Sequence, residues 1–231
     1  MPLHDVTDKV VVVVDILRAT SSMVTAFAHG MAKIKPVAST EECLLLQRQG
    51  YLSAGERDGR KIERFDFGNS PFDYQQDTIR GQSLAMTTTN GTLAIEDSKK
   101  ASQLVVGGFL NISAVANFIS KQNSDVLVVC AGWKKHVNLE DSLFAGALFD
   151  HLTSHFQVGN DAALVTEALY HQAQPDFETF LSRSSHVQRL ANLNIQRDIA
   201  FCLQVDQYSV VPQLQGDHLV VLEAADSEHG V

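Results

Sequence analysis

Asp15 and Arg18 are two residues whose types and spacing could do chemistry. They stand in residues 11–22, VVVVDILRATSS, where a run of valines ends in a carboxylate and an arginine follows three residues later. Such a run predicts a buried strand, and an acid at its end lies at the rim of the sheet, where open α/β sheets bind ligands. The alternative is structural, because Asp favours helix starts: Asp15 would cap the next helix while Arg18 makes a salt bridge.

Two further acids, Glu140 and Asp141, open a predicted helix. The helix dipole alone favours acids in a first turn, so a structural role would also explain them. Neighbouring helix residues point about 100° apart, and one ion would therefore bind one of the two. Mg²⁺ is typically held by one or two carboxylates with waters and substrate phosphates. We therefore expect a Mg²⁺ site made of Asp15 with Glu140 or Asp141.

A loop dense in hydroxyls and backbone donors, residues 87–92 (TTTNGT), stands at a predicted strand-to-helix junction. Free N–H groups and the helix dipole make such junctions anion sites. A threonine or asparagine cap followed by a glycine turn is the structural alternative. The candidate phosphate-binding residues of this loop are Thr88, Thr89, Asn90 and Gly91.

Two shorter segments have the same two interpretations. Asn69 and Ser70, in residues 68–71 (GNSP), are either substrate-binding residues or part of a helix cap followed by a first-turn proline. Ser185-His186 lies in a predicted helical region and belongs either to the site or to the core.

Known phosphate-binding motifs are missing. No Gly-Lys pair occurs, which excludes a P-loop, and the glycines of a dinucleotide fingerprint do not follow the first strand. Position 17 is Leu17, where a phosphatase of the haloacid dehalogenase type needs a second aspartate. Cys130 is followed six residues later by His136, where a cysteine phosphatase needs an arginine. Any phosphate chemistry here is of another kind.

Composition narrows the class of protein. The 231 residues include 18 Lys+Arg and 27 Asp+Glu, a formal net charge of -9, which argues against nucleic-acid binding, since phosphate backbones need clustered positive charge. No apolar run approaches the roughly 18 residues that span a bilayer, and no signal segment is seen at the start. Cys43, Cys130 and Cys202 lie in or beside apolar segments without pairing motifs, and we expect them reduced and buried in a cytoplasmic protein.

The elements that must position these residues alternate along the chain. We predict strands over residues 10–15, 34–38, 52–55, 84–86, 104–106 and 126–130, and a closing hairpin from 210–211 and 218–222. Helices are predicted over 17–32, 39–50 (with Ser39 and Glu42 at capping-box spacing), 111–122, 139–156 and much of 161–201, with 56–68 a loop. This alternation predicts a three-layer α/β/α fold with a mostly parallel or mixed central sheet, as one domain over 1–231. If the strands are parallel, their polar ends converge at one edge.

The chain resembles a known family in several short segments. They are the segments already quoted, together with Gly55-Glu56-Arg57, Cys130-Ala131-Gly132 and Asp198-Ile199. In their order and spacing, from about residue 10 to 216, the chain resembles the 2-phosphosulfolactate phosphatases, magnesium-dependent enzymes of the coenzyme M pathway. Residues 133–136 (WKKH) depart from the family pattern, and this departure bears on substrate choice.

The resemblance implies hydrolysis of (2R)-2-phospho-3-sulfolactate, or of a closely related phosphorylated acid, in a cytoplasmic enzyme. Asp15, Arg18 and Glu56 are the predicted catalytic residues. Mg²⁺ would neutralise phosphoryl charge, and Arg18 and Arg57 would grip anionic groups bidentately. The alternatives are a non-catalytic sensor of a phosphorylated anion and an interaction protein with a merely structural polar rim. A small anionic substrate is the predicted partner, with a homodimer as one option.

Overall fold

The computed structural model describes residues 5–134, 136–193 and 195–221. Within these ranges the strands form one nine-stranded sheet in the order β4-β3-β5-β2-β9-β8-β6-β1-β7. The strands are β1 (Val10–Val14), β2 (Lys33–Pro36), β3 (Leu52–Arg57), β4 (Arg60–Lys61), β5 (Ser83–Thr87), β6 (Gln103–Gly107), β7 (Val126–Cys130), β8 (Pro212–Gln215) and β9 (His218–Val221).

Helices connect and cover these strands. They are α1 (Ala19–Ala28), α2 (Thr40–Arg48), α3 (Gly91–Asp97), α4 (Ile112–Ile119), α5 (Leu139–Leu152), α6 (Asp161–Ala173), α7 (Phe177–Leu181), α8 (Ser185–Ala191) and α9 (Gln196–Cys202). Among the described residues, no helix is long and apolar enough to cross a membrane.

The first strand shows why the fold has three layers. All five residues of β1 are fully buried, as the uninterrupted valine run predicts for a strand covered on both faces. Val12 and Val14 pack with residues of α4 and α5, whereas Val11 and Val13 pack with residues of α1 and α3. Because side chains alternate along a strand, these two clusters lie on opposite faces. The predicted three-layer α/β/α fold with a mixed sheet is confirmed.

The predicted C-terminal hairpin is present, but it lies in the middle of the sheet. β9 is antiparallel to β2, β8 is antiparallel to β6, and the two are antiparallel to each other. Strands β3, β5 and β2 are therefore parallel among themselves, and so are β6, β1 and β7, but the two groups run in opposite senses. Because only parallel strands end at the same edge of a sheet, the polar strand ends share one edge within each group but not across the whole sheet.

Helix α1 connects the end of β1 to the half of the sheet that holds β3 and β5. Helix α1 leaves the end of β1 and packs on the short 3₁₀ helix Pro71–Tyr74 of the other half. Ser22 Oγ of α1 donates to the Asn69 carbonyl oxygen at 2.9 Å. The site is thus assembled from both halves of the sheet.

Two local expectations are wrong. Helix α1 begins at Ala19 and not at residue 17; its N-cap position is held by Arg18, so the alternative in which Asp15 caps this helix does not hold. The predicted loop over 56–68 contains the end of β3 and the paired strand β4. The hairpin between them has Asp58 and Gly59 as its two turn residues, both at positive φ, and Asp-Gly is the sequence signal for such a turn.

Two more expectations need correction. The helical region over 161–201 is divided into four helices, α6 to α9. Cys43 and Cys202 are buried free thiols as expected, but Cys130 is exposed, because it ends the edge strand β7.

Candidate active site

Asp141 fixes the turn that carries Asp15. Its Oδ1 accepts the Ile16 N–H at 2.9 Å and its Oδ2 accepts the Gly132 N–H at 3.0 Å. The side chain is fully buried, and its own N–H donates to Asn138 Oδ1 as part of the cap of α5. Both carboxylate oxygens of Asp141 are therefore used to join the loop after β1 to the loop after β7.

Asp15 is a buried carboxylate at the end of β1. It is 8% exposed, and burial raises its pKa from 3.8 to about 8, with the negative charges of Asp141 and Glu56 adding to the effect. A hydrogen bond from the Ala19 backbone N–H offsets only part of this rise in the pKa. Burial, with the charge of Glu140, likewise raises the pKa of Asp141 to about 7. The site carries more negative charge than its own residues balance, which favours a cation.

Glu56 holds the threonine loop in place. Its Oε1 accepts the Thr89 backbone N–H at 2.8 Å and the Thr89 hydroxyl at 2.7 Å, and its Oε2 accepts the Gly59 N–H at 2.6 Å. Thr88 and Thr92 exchange hydrogen bonds between backbone N–H and hydroxyl across the start of α3. Glu56 thus positions the loop that faces Asp15.

Arg18 is buried in an ion pair with Asp198. Its Nη1 donates to Asp198 Oδ2, and its Nη2 donates to the Gly59 carbonyl oxygen at 3.1 Å. Arg18 is 5% exposed and Asp198 is 6% exposed. The pair ties the start of α1 to α9 and to the β3–β4 turn, so the side chain both lines the site and supports it.

Glu140 is the end of a buried chain of hydrogen bonds. Its Oε1 contacts His186 Nδ1, its Oε2 accepts the Ser184 hydroxyl at 3.3 Å, and His186 Nε2 lies 2.9 Å from Arg189 Nη2. An arginine can only donate, so Nε2 must accept and the ring proton lies on Nδ1, facing Glu140. The indole of Trp133 stacks on the imidazole with 5.9 Å between ring centroids.

These residues surround one cleft, here called the Asp15 cleft. Its walls include Asp15, Arg18, Glu56, Asn69, Thr89, Asn90, Trp133, His186 and Arg189. Two buried side-chain atoms of the described residues lack a hydrogen-bond partner, Asn69 Oδ1 and Arg189 Nε, and both residues line this cleft. Buried polar atoms are paired in the large majority of cases, so each of these atoms is open to a ligand or a water molecule.

The other predicted site residues differ in their relation to this cleft. Gly91 packs against Asp15, whereas Ser70 precedes the 3₁₀ helix Pro71–Tyr74 without a side-chain capping bond. Arg57 donates to the Glu56 carbonyl oxygen and, at 3.2 Å, to the Thr87 hydroxyl. It does not line the cleft.

The predicted metal ligands differ in their surroundings. Asp15 lines the cleft, whereas Glu140 and Asp141 lie behind it with their oxygens engaged by side chains or backbone N–H groups. Within the described ranges, one set of three metal-ligating side chains has its ligand atoms close together, namely Asp150, Glu167 and His171, and it lies outside the cleft.

Arg189 and Asp58 line the cleft but are not among the site residues predicted from the sequence, and Trp133 was predicted only as part of a departure from the family pattern. Arg189 follows His186 by three residues on α8, so the helical spacing of the two was a usable signal. Trp133 carried no comparable signal, because its place over α8 depends on tertiary packing.

Comparison with known proteins decides the family. The family model for 2-phosphosulpholactate phosphatase matches residues 1–217. The chain belongs to this family. A protein of Caldanaerobacter subterraneus subsp. tengcongensis, named probable 2-phosphosulfolactate phosphatase, is 39% identical over 92% of this chain and 90% of its own length. A protein of Thermotoga petrophila with the same name is 37% identical over 96% of both chains.

Family membership makes this chain an enzyme that acts on a phosphate monoester. The family that was predicted from residues 15–20, residues 87–92 and the other quoted segments is confirmed. A sensor without catalysis and a purely structural rim, the alternatives left open by the sequence, are set aside by the same comparison.

Gly91 gives a first prediction for this phosphatase site. A Cβ at Gly91 would lie 2.7 Å from Ala19 Cβ and 2.8 Å from Asp15 Oδ2. We expect Gly91→Ala to displace Asp15, lower phosphatase turnover by about tenfold and cost about 1–3 kcal/mol of stability through overpacking. Phosphate release and thermal melts measure both effects. Gly159→Ala is the control, because a Cβ there meets nothing within 4 Å; equal behaviour of the two variants would contradict the assignment.

Proposed function

We propose that this chain hydrolyses (2R)-2-phospho-3-sulfolactate, or a closely related small phosphorylated acid, with Mg²⁺ as cofactor. In this reaction one water is consumed: its oxygen ends on phosphorus, the bond between phosphorus and the C2 oxygen breaks, and that oxygen takes up a proton. The products are (2R)-3-sulfolactate and phosphate. The substrate is the one in the names of the family and of both relatives.

One observation carries the proposal. The buried carboxylate of Asp15, whose pKa is raised to about 8, lines the same cleft as Asn69, whose Oδ1 is an open acceptor. Carboxylate and amide oxygens are ligands that Mg²⁺ accepts, and Mg²⁺ usually keeps waters and binds substrate phosphate. The residues present therefore fit the ion, with Asp15 and Asn69 as holders. Glu140 and Asp141, predicted as ligands, support the site from behind.

Mg²⁺ bound there would offset the negative charge of the phosphoryl group as its bonds rearrange. The chain's own residues position the substrate. In this proposal the backbone N–H groups of Asn90 and Gly91, in the loop over 87–92, are the neutral donors for phosphate oxygens. Glu56 keeps that loop rigid by accepting the Thr89 N–H and hydroxyl. Arg18, whose charge is balanced by Asp198, adds fixed guanidinium N–H donors to the same wall.

Metal removal tests the cofactor. We expect phosphate release from 2-phospho-3-sulfolactate to fall at least about tenfold in EDTA, since a metal typically supplies several kcal/mol of charge stabilisation. Added Mg²⁺ or Mn²⁺ should restore it. Full activity after exhaustive chelation would exclude the proposed cofactor while leaving the substrate assignment intact.

The substrate is tested separately. Purified protein with Mg²⁺ is assayed for phosphate release over a panel of phosphorylated C3 acids, and 2-phospho-3-sulfolactate should show the highest kcat/KM. A panel member that exceeds it by more than about tenfold in kcat/KM, which is about 1.4 kcal/mol, would reassign the substrate within the same reaction class.

A further inference from the structure

Arg189 Nε is a buried donor that the proposed metal does not explain. Asn69 Oδ1, the other open atom of the Asp15 cleft, suits a cation, whereas an N–H of a guanidinium needs an acceptor. An open donor of this kind indicates that the ligand brings an acceptor to the Arg189 end of the cleft.

The surroundings of Arg189 leave its charge available. The guanidinium lies 5.0 Å from the Trp133 ring centroid, its Nη1 donates to the Asp58 carbonyl oxygen at 3.3 Å, and its Nη2 donates to His186. None of these partners is an anion, and Glu140 is separated from the guanidinium by the imidazole of His186. Among the ion pairs of the described residues, none includes Arg189.

Among the described residues, the other cation that lines the cleft is already paired. Arg18 is bound to the Asp198 carboxylate. Lys134 Nζ lies 3.6 Å from Asp58 Oδ1 and above the Trp133 ring. Arg189 is therefore the side chain of the cleft whose unpaired positive charge is available to a second anionic group of the substrate.

We propose that Arg189, with Trp133 stacked on it, binds the sulfonate of the substrate and so determines specificity for a sulfonated acid. The inference rests on the proposed function. Phosphate and carboxylate are both attached to C2 of the substrate, and the sulfonate is carried by C3, at the far end. Asp15, Asn69, Trp133 and Arg189 line the same cleft, so with phosphate at Asp15 and Asn69 the sulfonate would lie at the Trp133–Arg189 wall. A guanidinium suits this anion because it is weakly hydrated and presents parallel N–H donors.

Trp133 provides a readout that does not depend on catalysis. It is the single tryptophan of the chain, so its fluorescence reports the Arg189 wall directly. We expect 3-sulfolactate to change the emission of the Mg²⁺-loaded enzyme saturably, and lactate at the same concentration to leave it unchanged. Arg189→Gln should weaken 3-sulfolactate binding at least about tenfold, as expected for loss of a desolvated charge pair. Equal responses to lactate and 3-sulfolactate would overturn the proposal.

Kinetics with two matched substrates test the same subsite. 2-Phospholactate keeps the phosphate and the carboxylate but lacks the sulfonate. We expect Arg189→Gln to raise KM for 2-phospho-3-sulfolactate about tenfold with kcat retained, and to change KM for 2-phospholactate less than about twofold, because the lost contact is made equally in ground and transition states. The same factor on both substrates, or no effect on either, would contradict a sulfonate contact.

Two controls make the outcome interpretable. Arg64→Gln makes the same substitution at an exposed arginine outside the cleft and should match the parent enzyme. Arg189→Lys keeps the positive charge but lacks the parallel N–H donors of the guanidinium, and we expect an intermediate KM for the sulfonated substrate. The Lys variant replaces Arg189→Gln if the Gln variant does not fold. If the parent enzyme releases phosphate from neither substrate, the proposed function fails, and the Trp133 titration still decides the anion subsite.

Discussion

Asp15→Asn should lower the turnover of this phosphatase at least about a hundredfold, equivalent to roughly 2.7 kcal/mol of transition-state stabilisation. The substitution keeps the size of the side chain but removes the charge that faces the cleft and, in the proposed function, holds Mg²⁺. Phosphate release at saturating Mg²⁺ measures the effect. If Asp15 acted only near the helix start, Asn would replace it with little loss, and near-normal turnover would support that role.

The same variant should be more stable than the parent protein in EDTA at neutral pH. Because the pKa of Asp15 is 3.8 when exposed and about 8 in the fold, the folded state holds the proton more tightly. Its stabilising contribution is complete below about pH 4 and is lost as pH rises toward 8. Asn does not titrate, so the melting temperature of Asp15→Asn should exceed that of the parent by more at pH 8 than at pH 5. A difference that shrinks with rising pH would contradict the raised pKa.

Arg18→Gln should destabilise the protein by about 3–5 kcal/mol, because it leaves the buried carboxylate of Asp198 without its charge partner. For a chain of this size 1 kcal/mol corresponds to roughly 2–4 °C, so the melting temperature should fall by roughly 6–20 °C. Loss of the bond to the Gly59 carbonyl also loosens the β3–β4 turn, and turnover should fall with it.

A double substitution separates charge burial from other effects. Adding Asp198→Asn to Arg18→Gln removes the unpaired charge, so the double variant should be more stable than Arg18→Gln alone. Thermal melts of the two single variants and the double variant measure the coupling. Additive losses would mean that Arg18 and Asp198 do not depend on each other.

The sequence by itself determined the family and the local structure. The valine run of β1 predicted a strand buried on both faces, and all five residues are buried. Ser39 accepts the Glu42 N–H at 3.1 Å, as the capping-box spacing predicted for the start of α2. These features depend on side chains within a few residues, which is why pattern and propensity suffice for them. The order of the quoted segments likewise identified the family that the comparisons confirm.

The tertiary structure decided what each candidate side chain contacts. Asp15, Glu140 and Asp141 look alike in sequence as acids at strand ends and helix starts, but only Asp15 lines the cleft, since the oxygens of the others are engaged by groups distant along the chain. The same holds for Arg18, whose charge is balanced by Asp198, 180 residues away. No local pattern encodes such a partner.

The cleft itself depends on the sheet. The hairpin of β8 and β9 inserts between two groups of parallel strands and reverses their relative direction, so strand order could not be predicted from the alternation of elements. Trp133 and Arg189 meet only because the loop after β7 packs over α8. The residue types that can bind a ligand or catalyse a reaction could be recognised in the sequence. Their charge balance was set by contacts between segments far apart along the chain, because burial and pairing are properties of the folded chain.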